Sequence, residues 1–245
     1  MWALGALGVV ALVAALGFVI WAETPLGPMP EAVAAMVTDE HVTVVQDDVI
    51  VFRPNDTTPT VGLVFYPGAR IDPVSYAPAM RALAAQGFLA VIAPMPLNLA
   101  VLDSDRAADV IADFPEISRW AVGGHSLGGA MAAAFVASDP AAVDGLVLWA
   151  AYPSSGDDLS TWDGGVTSVS ATKDGLATPD DIVRTTPLLP AGAEFVIVDG
   201  GNHAQFAWYG EQRGDGVATI SRDDQQSQTV AASLSLLRAL TTSGP

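Results

Sequence analysis

Residues 120–138 read WAVGGHSLGGAMAAAFVAS, an apolar run, a glycine-rich turn and an alanine-rich stretch. We interpret the apolar run as a strand and residues 126–138 as a helix. The turn between them has the spacing G-x-S-x-G, with Ser126 between Gly124 and Gly128. In this motif the serine sits on a sharp, strained turn that lifts its hydroxyl above the strand ends. The spacing therefore predicts that Ser126 is a nucleophile.

Two backbone amides are candidates for an oxyanion hole, which a serine nucleophile requires. The first is the amide of Leu127, directly after the nucleophile and at the positive end of the predicted helix. A second donor is expected in the loop that follows the strand predicted at residues 62–66. That loop reads YPGAR over residues 66–70. We choose the amide of Ala69, because Gly68 allows the backbone to approach closely.

A general base is needed to activate the serine, and the chain contains three histidines. His125 adjoins the nucleophile, so its side chain is expected to point elsewhere. His41 precedes the first predicted strand. His203 directly follows the last predicted strand, in the stretch DGGNH at residues 199–203. Elimination therefore predicts that His203 is the base.

The carboxylate that orients the base should lie between the serine and the histidine in chain order. Asp174 follows the strand predicted at residues 166–171, on a tight turn at the same sheet edge as the other two residues. We therefore choose Asp174 as the catalytic acid. Asp199, Asp180 and Asp181 remain alternatives, although the last two are also suited to a helix N-terminus.

Short apolar segments alternate with helical patterns along most of the chain. This alternation predicts an α/β fold with a doubly wound, mostly parallel sheet of about eight strands, after an N-terminal hairpin. The stretch at residues 152–165 is too short for a helical lid, so no sizeable lid is expected. The predicted strands cover residues 42–45, 49–52, 62–66, 88–93, 120–123, 145–150, 166–171 and 194–198.

The strand–helix alternation, the G-x-S-x-G turn and the chain order serine, aspartate, histidine resemble the α/β-hydrolase superfamily. The resemblance covers about residues 42–240. Within the superfamily, the chain looks like the compact group related to dienelactone hydrolases. Dienelactone hydrolases use a cysteine nucleophile, so their substrate is not carried over. The segments that carry this second likeness are residues 65–68, 170–178 and 201–206.

The resemblance implies a serine hydrolase, and we predict that it is a carboxylic ester hydrolase. Ser126 would form an acyl-enzyme from a small-molecule ester or other acyl substrate, with His203 as base and Asp174 as its partner. No metal or cofactor is implied. A peptidase or thioesterase with the same triad is an alternative. A catalytically silent binding protein on the same fold is another.

Composition excludes several classes of partner and site. The 245 residues include 27 acidic and 10 basic side chains, for a net charge of −17. Such a surface repels phosphate backbones, so nucleic acid is not an expected partner. The absence of cysteine excludes disulfides, metal–thiolate sites and a cysteine nucleophile. The hydrophobic share of 51% provides ample material for a core.

Residues 1–22 carry no charged side chain and would span about 33 Å as a helix. This length predicts a transmembrane anchor or an uncleaved signal, and hence a membrane partner. A cleaved signal peptide is the alternative. Residues 23–41 are expected to form a linker, and residues 42–245 the α/β-hydrolase domain. We therefore expect a membrane-anchored protein whose catalytic domain lies outside the cytoplasm.

Overall fold

The computed structural model describes residues 2–242, with side chains from residue 11 onward. Eight strands form a single sheet. They are β1 (Val42–Gln46), β2 (Ile50–Pro54), β3 (Val61–Tyr66), β4 (Leu89–Ile92), β5 (Arg119–His125), β6 (Gly145–Trp149), β7 (Gly165–Ala171) and β8 (Glu194–Val198).

The strand order across the sheet is β1-β2-β4-β3-β5-β6-β7-β8. Strands β3 to β8 pair in parallel, whereas β1 and β2 add an antiparallel edge. β3, β4 and β6 are buried along their whole length, which explains their continuous apolar sequences. The prediction of a mostly parallel sheet of about eight strands is confirmed.

Helices cover both faces of the sheet. Because side chains alternate along a strand, Leu63 and Phe65 of β3 face one layer and Val64 and Tyr66 face the other. The first layer contains α3 and α7, and the second contains α4 and α5. The α-helices are α1 (Trp2–Ala22), α2 (Pro30–Ala34), α3 (Ala77–Ala84), α4 (Arg106–Asp113), α5 (Leu127–Ser138), α6 (Pro179–Thr185) and α7 (Arg222–Thr242).

The predicted transmembrane helix is wrong, and the predicted membrane partner is left without support. In the part of the chain that the structure describes, no helix is both long and apolar enough to cross a membrane. The end of α1 instead packs against the rest of the protein, where Ala22 is fully buried. The expected location outside the cytoplasm stays a prediction.

The loops after the parallel strands meet at one edge of the sheet, where ligands bind in folds of this kind. The loops after β3, β5, β7 and β8 carry Ala69, Ser126, Asp174 and His203, and Leu127 begins the helix that follows β5. Residues 150–164, which connect β6 to β7, contain neither a helix nor a strand. This edge is therefore free of a helical lid from that connection.

Candidate active site

Ser126 lies on the turn between β5 and α5, in the strained geometry that its motif requires. Its backbone has φ 54° and ψ −124°, a region that residues other than glycine rarely adopt. The Ser126 amide donates to the carbonyl of Trp149 on β6 at 3.0 Å, which fixes the turn to the neighbouring strand. The residue is partly exposed, so its hydroxyl lies at the surface of this edge.

Close backbone contacts explain the two glycines of the motif. A Cβ atom at Gly124 would collide with the backbone of Gly128, and one at Gly128 would collide with the carbonyls of Tyr66 and Pro67. The turn therefore packs directly against the loop after β3. The amide of Leu127, at the start of α5, has no acceptor among residues 2–242. It is available to a ligand.

The loop after β3 leaves one amide without an acceptor. The Gly68 amide donates to the hydroxyl of Tyr76 at 2.9 Å. The Arg70 amide donates to the carbonyl of Asn98 at 2.8 Å. Between them, the Ala69 amide has no acceptor in the described part of the chain. Of these three amides, only that of Ala69 can donate to an oxyanion without breaking an existing hydrogen bond.

The structure brings Asp174 and His203 together. His203 Nδ1 lies 2.8 Å from Asp174 Oδ2, and both side chains are buried. The other carboxylate oxygen accepts the amides of Leu176 and Ala177, each at 2.8 Å. Because an ionised carboxylate only accepts hydrogen bonds, Nδ1 carries the hydrogen. A neutral His203 therefore presents a lone pair at Nε2.

His203 lies beside the serine turn. Its ring centroid is 4.5 Å from that of His125, which directly precedes Ser126. Nε2 of His203 is buried and has no hydrogen-bond partner within residues 2–242. The Ser126 hydroxyl makes no hydrogen bond to it in the described chain, so this nitrogen is unoccupied.

The alternative acids have other partners. Asp199 accepts a hydrogen bond from the Thr172 hydroxyl at 3.0 Å. Asp181 and Thr178 form a capping box at the start of α6, and Asp180 is exposed in the same turn. None of these three carboxylates makes a hydrogen bond or an ion pair with the His203 ring in the described chain.

His125 lies closer to the site than the sequence indicated. Its Nδ1 is 2.9 Å from the hydroxyl of Tyr76, which also accepts the Gly68 amide. Burial and the neighbouring His203 ring lower the pKa of His125 well below its ordinary value. His125 is therefore neutral and connects the loop after β3 to the His203 ring. His41, by contrast, is exposed and bonds to Asp56.

Asp215, which no sequence motif marks, joins two of the site loops. Its Oδ1 atom accepts the amides of Gly175 and His203 at 3.1 Å and that of Gly216 at 2.8 Å. Its Oδ2 atom accepts the Ala204 amide at 2.8 Å. One carboxylate therefore holds the loop that follows Asp174 against the loop that carries His203.

Arg222 also binds the loop that carries His203. Its guanidinium donates to the carbonyls of Ala204, Ala207 and Gly210 and lies over the ring of Trp208. Burial lowers the pKa of this guanidinium. The loop after β8 is thus held by the Asp215 carboxylate at its amides and by the Arg222 guanidinium at its carbonyls.

We expect the substitution Asp215→Ala to destabilise the fold and to slow turnover. It leaves several partly buried amides without an acceptor, which costs about 2–3 kcal/mol in free energy of unfolding. The melting temperature should fall by about 5–10 °C. Thermal melts and kcat should be compared with those of Glu211→Ala, an exposed acid in the same loop. Equal melting temperatures for the two variants would contradict this role of Asp215.

The sequence places the chain in a known family. Residues 62–227, more than half of the chain, match the alpha/beta hydrolase family. The chain belongs to that family. The resemblance to the α/β-hydrolase superfamily is therefore confirmed, and the fold prediction holds except for the membrane helix. A search of curated protein sequences finds no match.

Solved hydrolase structures share the fold at low sequence identity. A butyrate-bound thermophilic esterase from Thermogutta terrifontis has a TM-score of 0.61 and 14% identity, over 84% of this chain and 95% of that one. The esterase domain of a Rhodothermus marinus protein has a TM-score of 0.58 and 14% identity, over 80% and 97%. These similarities show that the fold is shared with solved hydrolase structures.

Proposed function

We propose that this hydrolase cleaves carboxylic esters through an acyl-enzyme on Ser126. The observation that carries the proposal is the buried Asp174–His203 hydrogen bond beside the serine turn, with Nε2 of the ring unpartnered in the described part of the chain. A serine, a histidine and a carboxylate in this relation are the parts of a hydrolytic triad. The amides of Leu127 and Ala69, which have no acceptor among residues 2–242, support the same reaction.

In the acylation step, His203 Nε2 takes the proton of the Ser126 hydroxyl as the serine oxygen attacks the ester carbonyl carbon. The carbonyl oxygen becomes an oxyanion, and the amides of Leu127 and Ala69 donate to it. Asp174 stabilises the imidazolium through Nδ1. The C–O bond to the alcohol then breaks, and Nε2 returns the proton to the departing alkoxide.

Deacylation repeats these steps with water as the nucleophile. His203 Nε2 takes a proton from water while the water oxygen attacks the acyl carbon. Collapse of the second tetrahedral intermediate breaks the bond to Ser126, whose oxygen recovers a proton from Nε2. The products are a carboxylic acid and free enzyme.

Esters are favoured as the first substrate class to test. The connection between β6 and β7 has no helix that could cover the serine turn, which suits small esters. The structures with the same fold include one described as an esterase phosphorylated by paraoxon, with 15% identity and a TM-score of 0.61. Paraoxon is an organophosphate triester, so paraoxon itself is a useful probe for a reactive serine in this chain.

A substrate panel separates the possible reactions. Purified protein should be given p-nitrophenyl esters, acyl thioesters and peptide anilides in parallel, each also with Ser126→Ala. We expect kcat/KM to be highest on short-chain esters and to vanish in the variant. A preference for thioesters or anilides would instead assign a thioesterase or a peptidase. No Ser126-dependent turnover and no reaction with paraoxon would identify a binding protein.

A further inference from the structure

Arg70 directly follows the amide that we assign to the oxyanion hole, and its backbone is strained. Its φ of 54° lies in the left-handed region, which costs free energy for a residue with a side chain. Such a conformation persists only where the surroundings determine it. The neighbouring segment also contains two residues of positive φ, Leu97 and Asn98.

The Arg70 side chain is bound by the end of α1. Its Nε atom donates to the carbonyl of Trp21 and its Nη2 atom to the carbonyl of Thr24, both at 2.7 Å. The guanidinium also lies 4.2 Å from the ring centroid of Trp21. The last carbonyls of a helix lack partners within the helix and attract a cation. Arg70 supplies that cation to α1.

Backbone contacts continue the same attachment. The amide of Leu26 donates to the Arg70 carbonyl at 2.7 Å, and the Asp72 amide donates to the Leu26 carbonyl at 3.0 Å. The Asn98 side chain donates to the carbonyl of Ala22, a fully buried residue, at 3.0 Å. Asn98 therefore binds both Arg70 and the end of α1.

A third contact reaches the histidine loop. The Met29 amide donates to the carbonyl of Trp208 at 2.7 Å, five residues after His203. The segment after α1 thus touches the loop of the predicted oxyanion amide and the loop of the predicted base. Residues 21–26 make the contacts with Arg70, Asp72 and Asn98, and we term these residues the N-terminal brace.

We propose that the N-terminal brace, acting through Arg70, positions the Ala69 amide for the developing oxyanion. Arg70 is a positioning residue in this account, because its own side chain faces α1. The amide, carbonyl and side chain of Arg70 are all bound, which fixes the peptide plane on the C-terminal side of Ala69. The plane that contains the Ala69 amide is held by the Gly68 carbonyl, which accepts the Ile71 amide at 3.2 Å. This inference rests on the proposed ester hydrolysis.

The test compares oxygen esters with their thiono analogues, in which sulfur replaces the carbonyl oxygen. Sulfur is a weak hydrogen-bond acceptor, so an enzyme that depends on oxyanion donors prefers the oxygen ester. The full-length chain should be assayed as wild type, Arg70→Ala, Arg70→Lys and Arg53→Ala. Arg53 is a matched control, since it also pairs with an acceptor (Glu116) and lies over an aromatic ring (Phe114).

For Arg70→Ala, we expect kcat on the oxygen ester to fall about 10- to 100-fold, with KM within threefold of wild type. The ratio of oxygen-ester to thionoester kcat should fall at least fivefold. Arg70→Lys, whose single ammonium cannot reproduce the planar fork, should lose activity in the same direction. Arg53→Ala should keep both the rate and the ratio.

Folded Arg70 variants with wild-type kcat and ratio would overturn the proposal. A lower kcat with an unchanged ratio would also overturn it, because a general structural role lowers both substrates equally. Hydrogen exchange over residues 68–72 gives a readout independent of substrate, with faster exchange expected in the Arg70 variants and unchanged exchange contradicting the brace. Failure of the proposed function is distinct, since wild type would then show no Ser126-dependent hydrolysis.

Discussion

Ser126→Ala is expected to lower kcat on p-nitrophenyl esters by about 10⁴- to 10⁶-fold. Without the serine oxygen no acyl-enzyme can form, and only the oxyanion donors and substrate binding remain. The melting temperature should stay near that of wild type, because Ser126 is partly exposed and its hydroxyl makes no hydrogen bond in the described part of the chain. Steady-state kinetics and thermal melts measure the two effects.

Ser138→Ala provides the control for this substitution. Ser138 lies at the other end of α5, where its hydroxyl donates to the carbonyl of Phe135 at 2.9 Å. The control variant should keep wild-type kcat. Comparable activity in the two variants would remove Ser126 from the mechanism.

Asp174→Asn is expected to lower kcat by about 10⁴-fold while the protein stays folded. The asparagine oxygen can still accept the amides of Leu176 and Ala177, so the turn is retained. Its NH₂ group would then face His203 Nδ1, which must become an acceptor. The hydrogen moves to Nε2, and that nitrogen can no longer take the serine proton.

Asp199→Asn is the matched comparison, because it makes the same chemical change on the neighbouring strand end. Asp199 accepts a hydrogen bond from Thr172, which an asparagine oxygen can also accept. Its kcat should stay within about threefold of wild type, as is usual for an exposed polar contact. A large loss in the Asp199 variant with a near-normal Asp174 variant would mean that Asp174 is the wrong acid. Circular dichroism should accompany both measurements.

The sheet and the serine turn could be predicted because their signals are local. A buried parallel strand reads as a short apolar run, and β3, β4 and β6 each do so. The G-x-S-x-G spacing encodes its own turn, since its glycines are needed where backbone segments touch. The predicted pairing of Asp174 with His203 followed from chain order and from the shared edge of parallel strands.

The supporting residues could not be predicted because their partners lie far away in the sequence. Asp215 stands between two glycines, which indicates a turn but not the loops that it joins. Tyr76 carries no motif that would connect it to His125. The transmembrane prediction used apolarity alone, which gives no information on how the end of α1 binds Arg70 and Asn98.

Mass spectrometry of the protein after reaction with a fluorophosphonate tests the central claim most directly, because the reagent phosphonylates an activated serine. The account predicts one phosphonyl group per chain, located by peptide mapping on Ser126. Labelling should be absent in Ser126→Ala and strongly slowed in His203→Ala. A folded wild-type protein that stays unlabelled, or that carries the label on another residue, would contradict the assignment of Ser126 as the nucleophile.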